Sequence, residues 1–355
     1  MHRRDFLRYT GLASAGLAFP SIPNVFAQAP SGWRTFEVTT RVEVLKPVGV
    51  TRVWLPVPLT TETTYIKALG NSQQAEGGTS GIATNDAGIV WGEWDAGVKP
   101  VLVLTSRFAT RNVAVDLSKP GSAPGEDKAV LAKYLAPSEH MPTDGAVKEL
   151  SAAIVKGSNT DVEKARAIYE WIVENTYRDA KTRGCGLGDV KFMVENKAWG
   201  GKCADLNALY VSLARAEGLP ARDVYGCRVA DSALGYKSLG KSGDVTKAQH
   251  CRAEVYLTGY GWVPVDPADV RKVILEEGGG KQPDDPMVLA ARKRLFGSWE
   301  MNWVAYNYAN DVVLPKATRG KVAFFMYPQC ETADGRLDPL DPDNFKYQMS
   351  SKEIA

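Results

Sequence analysis

Histidine is the scarcest chemically useful residue in this chain, with three among 355 residues, at positions 2, 140 and 250. His2 falls in an N-terminal stretch that reads as a removable leader, so the mature protein keeps His140 and His250. Zinc motifs are missing: neither HExxH nor CxxC occurs, and the neighbours His250 and Cys251 point to opposite faces of a strand. An excess of one charge is also absent. Lys and Arg total 43 against 41 Asp and Glu, without a basic run, which excludes the phosphate-neutralising stripe of a nucleic-acid binder and a strong attraction to anionic membranes. Beyond the N-terminus no apolar run approaches the roughly 17–25 residues of a membrane-spanning helix, and there is no fixed-period repeat or sustained heptad. What remains is a globular chain, 44% hydrophobic. It is longer than the ~250–300 residues at which one core stops growing, so two domains are expected.

Cysteine comes in an odd number, at 185, 203, 227, 251 and 330. At least one thiol therefore stays unpaired within the chain. If that one is Cys203, then Cys185, Cys227, Cys251 and Cys330 allow three pairings that sequence does not choose between, with buried free thiols as the alternative. The compartment bears on this, because "HRRDFLRYTGLASAGLAF" followed by "NVFAQAP" has a basic start, a short apolar middle and small residues suited to cleavage after Ala27. Arg3-Arg4 followed by Asp5-Phe6-Leu7-Arg8 resembles the bacterial twin-arginine export signal, which implies a periplasmic location. Losing residues 1–27 removes Arg3, Arg4, Arg8 and Asp5 and leaves the mature chain close to neutral.

From 33 to 117 the pattern is all-β: Phe36, Val38, Thr40, Val42 and Val44 alternate with polar neighbours, and "TRVWL" and "VLVLTSRFATRNVAV" add strand-like runs, together predicting a small sandwich. Residues 118–127 lie in a Pro/Gly/Ser linker. Beyond it the period becomes helical. Thr160 and Glu163 have capping-box spacing ahead of an apolar face of Val162, Ala165, Ile168, Tyr169, Ile172 and Val173. "GCGLGD" at 184–189 lacks the pattern of a phosphate cradle and is taken as a loop. A helix from Cys203 buries Leu206, Leu209, Tyr210 and Leu213 and closes at Gly218 before Pro220. "RDVYGCRV" and "HCRAEVYL" read as strands, "TGYG" as a turn into "WVPVD", and a helix is expected near 286–296. The expectation is an α+β second domain over 128–330, a helix packed on an antiparallel sheet, with 331–355 as a C-terminal tail.

One constellation carries chemistry. Cys203 opens a helix, where the macrodipole and unpaired N–H groups stabilise a thiolate and its own N–H is placed to bind an oxyanion. Gly200 and Gly201 allow close approach of a substrate to the backbone. His250 begins a strand whose hairpin partner ends at Asp266. If a three-residue loop pairs Leu257 with Gly261, Asp266 is a same-face diagonal neighbour of His250; a two-residue loop would put them on opposite faces. His140, in "APSEHMPTD", has no cysteine near it. A nucleophile, a base and an orienting acid are thus available in Cys203, His250 and Asp266.

"GGKCADLNALYVSLARAEGLPAR" and "HCRAEVYLTGYGWVPVDPADV" resemble the cysteine helix and the histidine and aspartate strands of the transglutaminase-like superfamily, over about residues 160–270. The resemblance implies a papain-like α+β core with Cys203 as nucleophile, His250 as base and Asp266 as orienting acid. It implies thioester chemistry on peptide, protein or peptidoglycan amides, by hydrolysis or acyl transfer. No counterpart of the calcium loops of animal cross-linking enzymes is present, so neither metal nor cofactor is implied. Cys251-Arg252 departs from the aromatic common after the family's histidine, and the second oxyanion donor is open, with Trp199 and Tyr177 as candidates there or in the substrate groove. The family also contains members without turnover, so a binding or scaffold module with a tryptophan-lined groove is the alternative. Arylamine N-acetyltransferase-like chemistry fits the thiol triad, but its acetyl-CoA donor is cytoplasmic, which export argues against.

Overall fold

The computed structural model describes residues 32–119 and 121–354. The leader, with Arg3-Arg4 and the cleavage position at Ala27, lies outside the described residues. Six strands follow in the N-terminal part: β1 (Arg34–Val44), β2 (Thr51–Pro56), β3 (Ile66–Glu76), β4 (Thr79–Thr84), β5 (Gly88–Trp94) and β6 (Val101–Thr110). In β1 the period-two pattern holds, with Phe36, Val38, Thr40, Val42 and Val44 buried and their neighbours less so. The inner faces of two sheets meet over Val42, Val53, Leu55, Val90, Trp94 and Leu104.

After α1 (Gly145–Ile154), α2 (Asp161–Asn175) begins with the capping box read from sequence: the Glu163 N–H donates to Thr160 Oγ1 at 3.2 Å and the Thr160 N–H to Glu163 Oε2 at 3.1 Å. Next comes α3 (Cys203–Ala216), followed by β7 (Ala221–Arg228), β8 (Gln249–Leu257), β9 (Gly261–Val265), α4 (Pro267–Glu276), α5 (Pro286–Arg294) and β10 (Trp303–Asn307). The four strands form an antiparallel sheet in the order β9-β8-β7-β10.

Sequence periodicity predicts one buried stripe on α3, but all its residues are buried. The reason is its central position, with α1, α2 and α4 around it and β7 and β8 against it. Several of its polar groups find partners inside the protein: Asn207 Nδ2 donates to Cys251 O at 2.8 Å and Arg215 Nε to Ala221 O at 2.8 Å. Gly218 ends the helix at φ +78°, its N–H donating to Arg215 O and the Leu219 N–H to Ala214 O. Further on, Arg222 is clamped among Tyr134, Trp262 and Tyr308, its Nε donating to Glu254 at 2.7 Å.

Within the segment 331–355, expected to form a tail, the described residues instead complete the sandwich. The chain returns as β11 (Gln329–Thr332), β12 (Gly335–Leu337) and β13 (Phe345–Ile354). β13 lies antiparallel to β1 from Thr35 opposite Ile354 to Val44 opposite Phe345, and β11 pairs with β2. Without β13, β1 would present an open edge. Gly243–Asp244, from the long loop between β7 and β8, adds to the other side of β13. The sandwich and the helical core are therefore joined by pairing as well as by the chain.

Candidate active site

Cys203 stands at the first position of α3, preceded by Lys202 in extended conformation. What fixes this helix start is Asp205, a residue sequence reasoning passed over. Its Oδ2 accepts the Lys202 N–H at 2.9 Å, and its Oδ1 accepts those of Leu187 and Gly188 at 2.9 and 3.0 Å. The glycine-rich loop is thus wrapped around one buried carboxylate. At Gly186, with φ +95°, a Cβ would come within 1.8 Å of Asp205 Oδ2, so no other residue fits. The glycines before the cysteine also serve packing. Any Cβ at Gly201 would lie 2.6 Å from Asp205 Cβ, and one at Gly200 would lie 2.5 Å from the Tyr177 ring.

β8 and β9 pair Leu257 with Gly261, the register that brings Asp266 to the histidine face. Strand pairing stops at Ala253 opposite Val265, however, and Asp266 becomes the N-cap of α4, with Pro267 at the first helical position. From that corner its Oδ2 meets His250 Nε2 at 2.8 Å, and its Oδ1 accepts the Asp269 N–H at 3.0 Å and Asn207 Nδ2 at 3.3 Å. With Nε2 engaged by Asp266, Nδ1 is the ring nitrogen left for the thiol, and His250 lies close enough to Cys203 to lower its pKa. The structure therefore brings Cys203, His250 and Asp266 together, with exposures of only 4%, 3% and 0%.

Two arginines and a second carboxylate surround this group. Asp269 Oδ2 lies 3.4 Å from His250 Nε2, and Arg228 NH2 holds Asp269 through both oxygens at 2.6 and 2.9 Å. Arg252 Nε stands 3.6 Å from Asp266 Oδ2. Arg228 and Asp269 were not singled out in the sequence, and Arg252 only as a departure from the family's pattern, although Asp269 falls three residues after the helix-starting Asp266, a legible first-turn signal. His250, Asp266 and Asp269 also have the donor types of a metal site, their ligand atoms lying within 4.8 Å of one another. The two guanidiniums already balance both carboxylates, a charge arrangement suited to an imidazolium rather than to a divalent cation.

The electrostatics follow from this packing. Burial works against a charged His250, yet Asp269 and Asp266 raise its pKa to about 9, against the opposing Arg228. Cys203 is held well below the ordinary thiol range, first because the Cys185 and Cys251 thiols hydrogen-bond to it, then, against burial, because of His250. Asp269 is kept well below the usual carboxylate range: burial opposes its charge, and Arg228 and His250 more than compensate. Both shifts run toward a thiolate beside an imidazolium.

The remaining candidates lie elsewhere. Trp199 packs edge-on against Trp171 at 5.3 Å, and Tyr177, 53% exposed, lies over Gly200. Tyr177 lies in, and Trp199 adjoins, the short Tyr177–Arg178 and Gly200–Gly201 pairing that leads into Cys203, and Trp199 packs on the core cluster that contains Cys203. His140 lies 3.9 Å from Asp189. It lines a small cleft along the Ala204–Ala208 face of α3, shared with Leu187, Tyr225 and Phe324. All five cysteines are free and buried, so the disulfide pairings considered from sequence give way to buried thiols. Trp54, Trp94, Trp299 and Trp303 are core residues and line no groove.

Residues 148–267 match the family model of the transglutaminase-like superfamily. An uncharacterized protein of Haemophilus influenzae is 35% identical over 359 residues, with 94% of each chain covered. Among solved structures, a candidate cysteine protease from Cytophaga hutchinsonii superposes with a TM-score of 0.52 at 17% identity, covering 91% of this chain and 99% of that one. At that identity the likeness is one of fold, an α+β architecture with antiparallel sheets.

Proposed function

We propose, since residues 148–267 match the transglutaminase-like superfamily, that the protein is a thiol-dependent hydrolase or acyltransferase acting on amide bonds in the bacterial periplasm. The observation that carries this reading is His250 held between Asp266, at 2.8 Å, and the Cys203 thiol. Cys203 Sγ attacks the amide carbonyl, and the tetrahedral oxyanion forms beside the Cys203 N–H at the positive end of α3. The Ala204 N–H is already committed to Cys185 O at 2.9 Å, so it is not the second donor. His250, charged below about pH 9, gives its proton to the leaving amine, and the C–N bond breaks to leave a thioester. It then accepts a proton from water, or from an amine acceptor, as that nucleophile attacks the thioester and frees the thiol. Asp266 holds the ring in the tautomer that makes both transfers possible. Peptide, protein and peptidoglycan amides are the substrates this location offers, and the twin-arginine-like leader supports the location.

The test is labelling with a thiol-directed probe that mimics an amide. Cys203→Ala is expected to abolish labelling while leaving the melting temperature nearly unchanged; labelling that persists in the variant would sink the assignment. Incubating the mature protein with periplasmic extract, with Cys203→Ala alongside, then identifies which amide bonds change.

A further inference from the structure

Three of the five cysteines converge on one point. Cys185 and Cys203 are adjacent through the backbone, the Ala204 N–H donating to Cys185 O at 2.9 Å. Cys185 Sγ also donates to Gln249 O at 3.3 Å, which brings it beside the residue preceding His250. Cys251 approaches from β8, its carbonyl held by Asn207 at 2.8 Å. Both neighbouring thiols act on Cys203 and help to hold its pKa well below the ordinary thiol range. A transglutaminase-like mechanism uses one thiol, so two are left without a task.

The two neighbours differ in freedom. Cys251 is fixed in an interior strand, paired with Tyr225 of β7 on one side and next to the β9 ladder on the other. Cys185 sits in a turn between Gly184, at φ +57°, and Gly186, at φ +95°. A disulfide requires the sulfurs to close to about 2.05 Å, a movement that a loop residue makes more easily than a residue in the middle of a sheet.

We propose that Cys185 is a resolving thiol, making Cys203 a site of reversible modification by hydroperoxides. This rests on the reading of Cys203 as a reactive thiolate. In the first step Cys203 Sγ attacks a peroxide oxygen: an S–O bond forms, the O–O bond breaks, and the departing alkoxide or hydroxide takes the His250 proton. The sulfur has then given two electrons to the peroxide. Next, Cys185 Sγ attacks the sulfenic sulfur, forming the S–S bond and breaking S–O, and hydroxide leaves with the Cys185 proton as water. A small dithiol reverses the link through two exchange steps and is itself oxidised to a disulfide. Without the neighbour, the sulfenic acid is exposed to further oxidation to sulfinic acid, which is not recovered by thiols.

Tryptic cleavage after Arg183, Lys191, Lys202 and Arg215 places Cys185 and Cys203 in separate peptides, 184–191 and 203–215. The full chain, reduced and freed of small thiols, is treated with hydrogen peroxide, alkylated, digested and read by mass spectrometry without reduction. The expected product joins these two peptides and is separated by dithiothreitol. Cys251→Ser is expected to keep the link. Cys185→Ser is expected to lose it, to raise dimedone labelling of Cys203 several-fold and to accumulate sulfinic acid. A link from Cys203 to Cys251, or equal sulfinic acid in the wild type and Cys185→Ser, overturns the proposal while leaving the thiolate reading intact. No dimedone labelling of Cys203 in Cys185→Ser overturns both.

Discussion

The sandwich and the catalytic sheet are both antiparallel, yet they treat polar residues in opposite ways. In β1 every second residue is buried and the others face outward, where Glu37 pairs with Arg107 at 2.7 Å, the arginine side chain 62% exposed. In β7 and β8 every residue is buried, because α3 covers one face and the sandwich residues Phe36, Val38, Ile66 and Phe108 pack with Val224 and Cys227 against the other. Charged residues placed there, Arg222, Arg228, His250, Arg252 and Glu254, are thereby removed from water and must find partners inside. The sandwich uses charge to stay soluble, and the core uses it to set protonation states.

The largest expected effect lies at the triad. Asp266→Asn keeps an oxygen for the α4 cap but removes the charge facing His250, and turnover of an amide reporter is expected to fall roughly 10⁴-fold. A small loss would mean that Asp269 substitutes for Asp266. Arg228→Ala, which strands a buried carboxylate, is expected to cost about 3–5 kcal/mol in urea unfolding. Arg107→Ala in the sandwich should cost below about 1 kcal/mol by the same measurement. Equal costs would remove the contrast between the two sheets. Leu209→Ala in α3 is expected to lose about 2–5 kcal/mol through the cavity it leaves, whereas Ile82→Ala on exposed β4, a side chain 45% exposed, should change stability by roughly 0.5 kcal/mol or less.

The pH dependence gives the smallest and most specific test. His250 rises from an ordinary 6.5 to about 9 in the folded protein. Its contribution to stability is therefore complete below about 6.5 and is lost as pH climbs through about 9. The basic limb of the rate profile is expected at the same place. Asp269→Asn, by removing a negative charge beside the ring, should move that limb to lower pH; an unmoved limb would assign Asp269 a purely structural part.

Much of this was legible beforehand for a definite reason. Local signals survive in sequence: the alternation in β1, the capping box at Thr160 and the Gly218 helix end each depend on residues within a few positions. The glycine-cysteine helix start and the hairpin were also readable, but the hairpin's register stood open between a two- and a three-residue loop until the fold paired Leu257 with Gly261. The C-terminal strand was missed although Phe345, Tyr347 and Met349 alternate, since its partner β1 lies some 300 residues earlier and no local rule names it. Asp205 was passed over because its acceptor role depends on a loop brought back to it from residues 186–188.

By itself the sequence determined the segments and the chemical types: a β-rich first part, a buried helix led by Cys203, and one histidine and one aspartate framed by a hairpin. Tertiary structure alone decided their environment. Strand alternation cannot reveal that both faces of a sheet are covered, so the burial of β7 and β8, and with it the strength of every charge there, emerged only once α3 was packed in place. The same packing turned Asp266 from a strand end into a helix cap and gathered three thiols around one helix terminus. Such meetings join residues distant along the chain, and pattern within one segment carries no information about them.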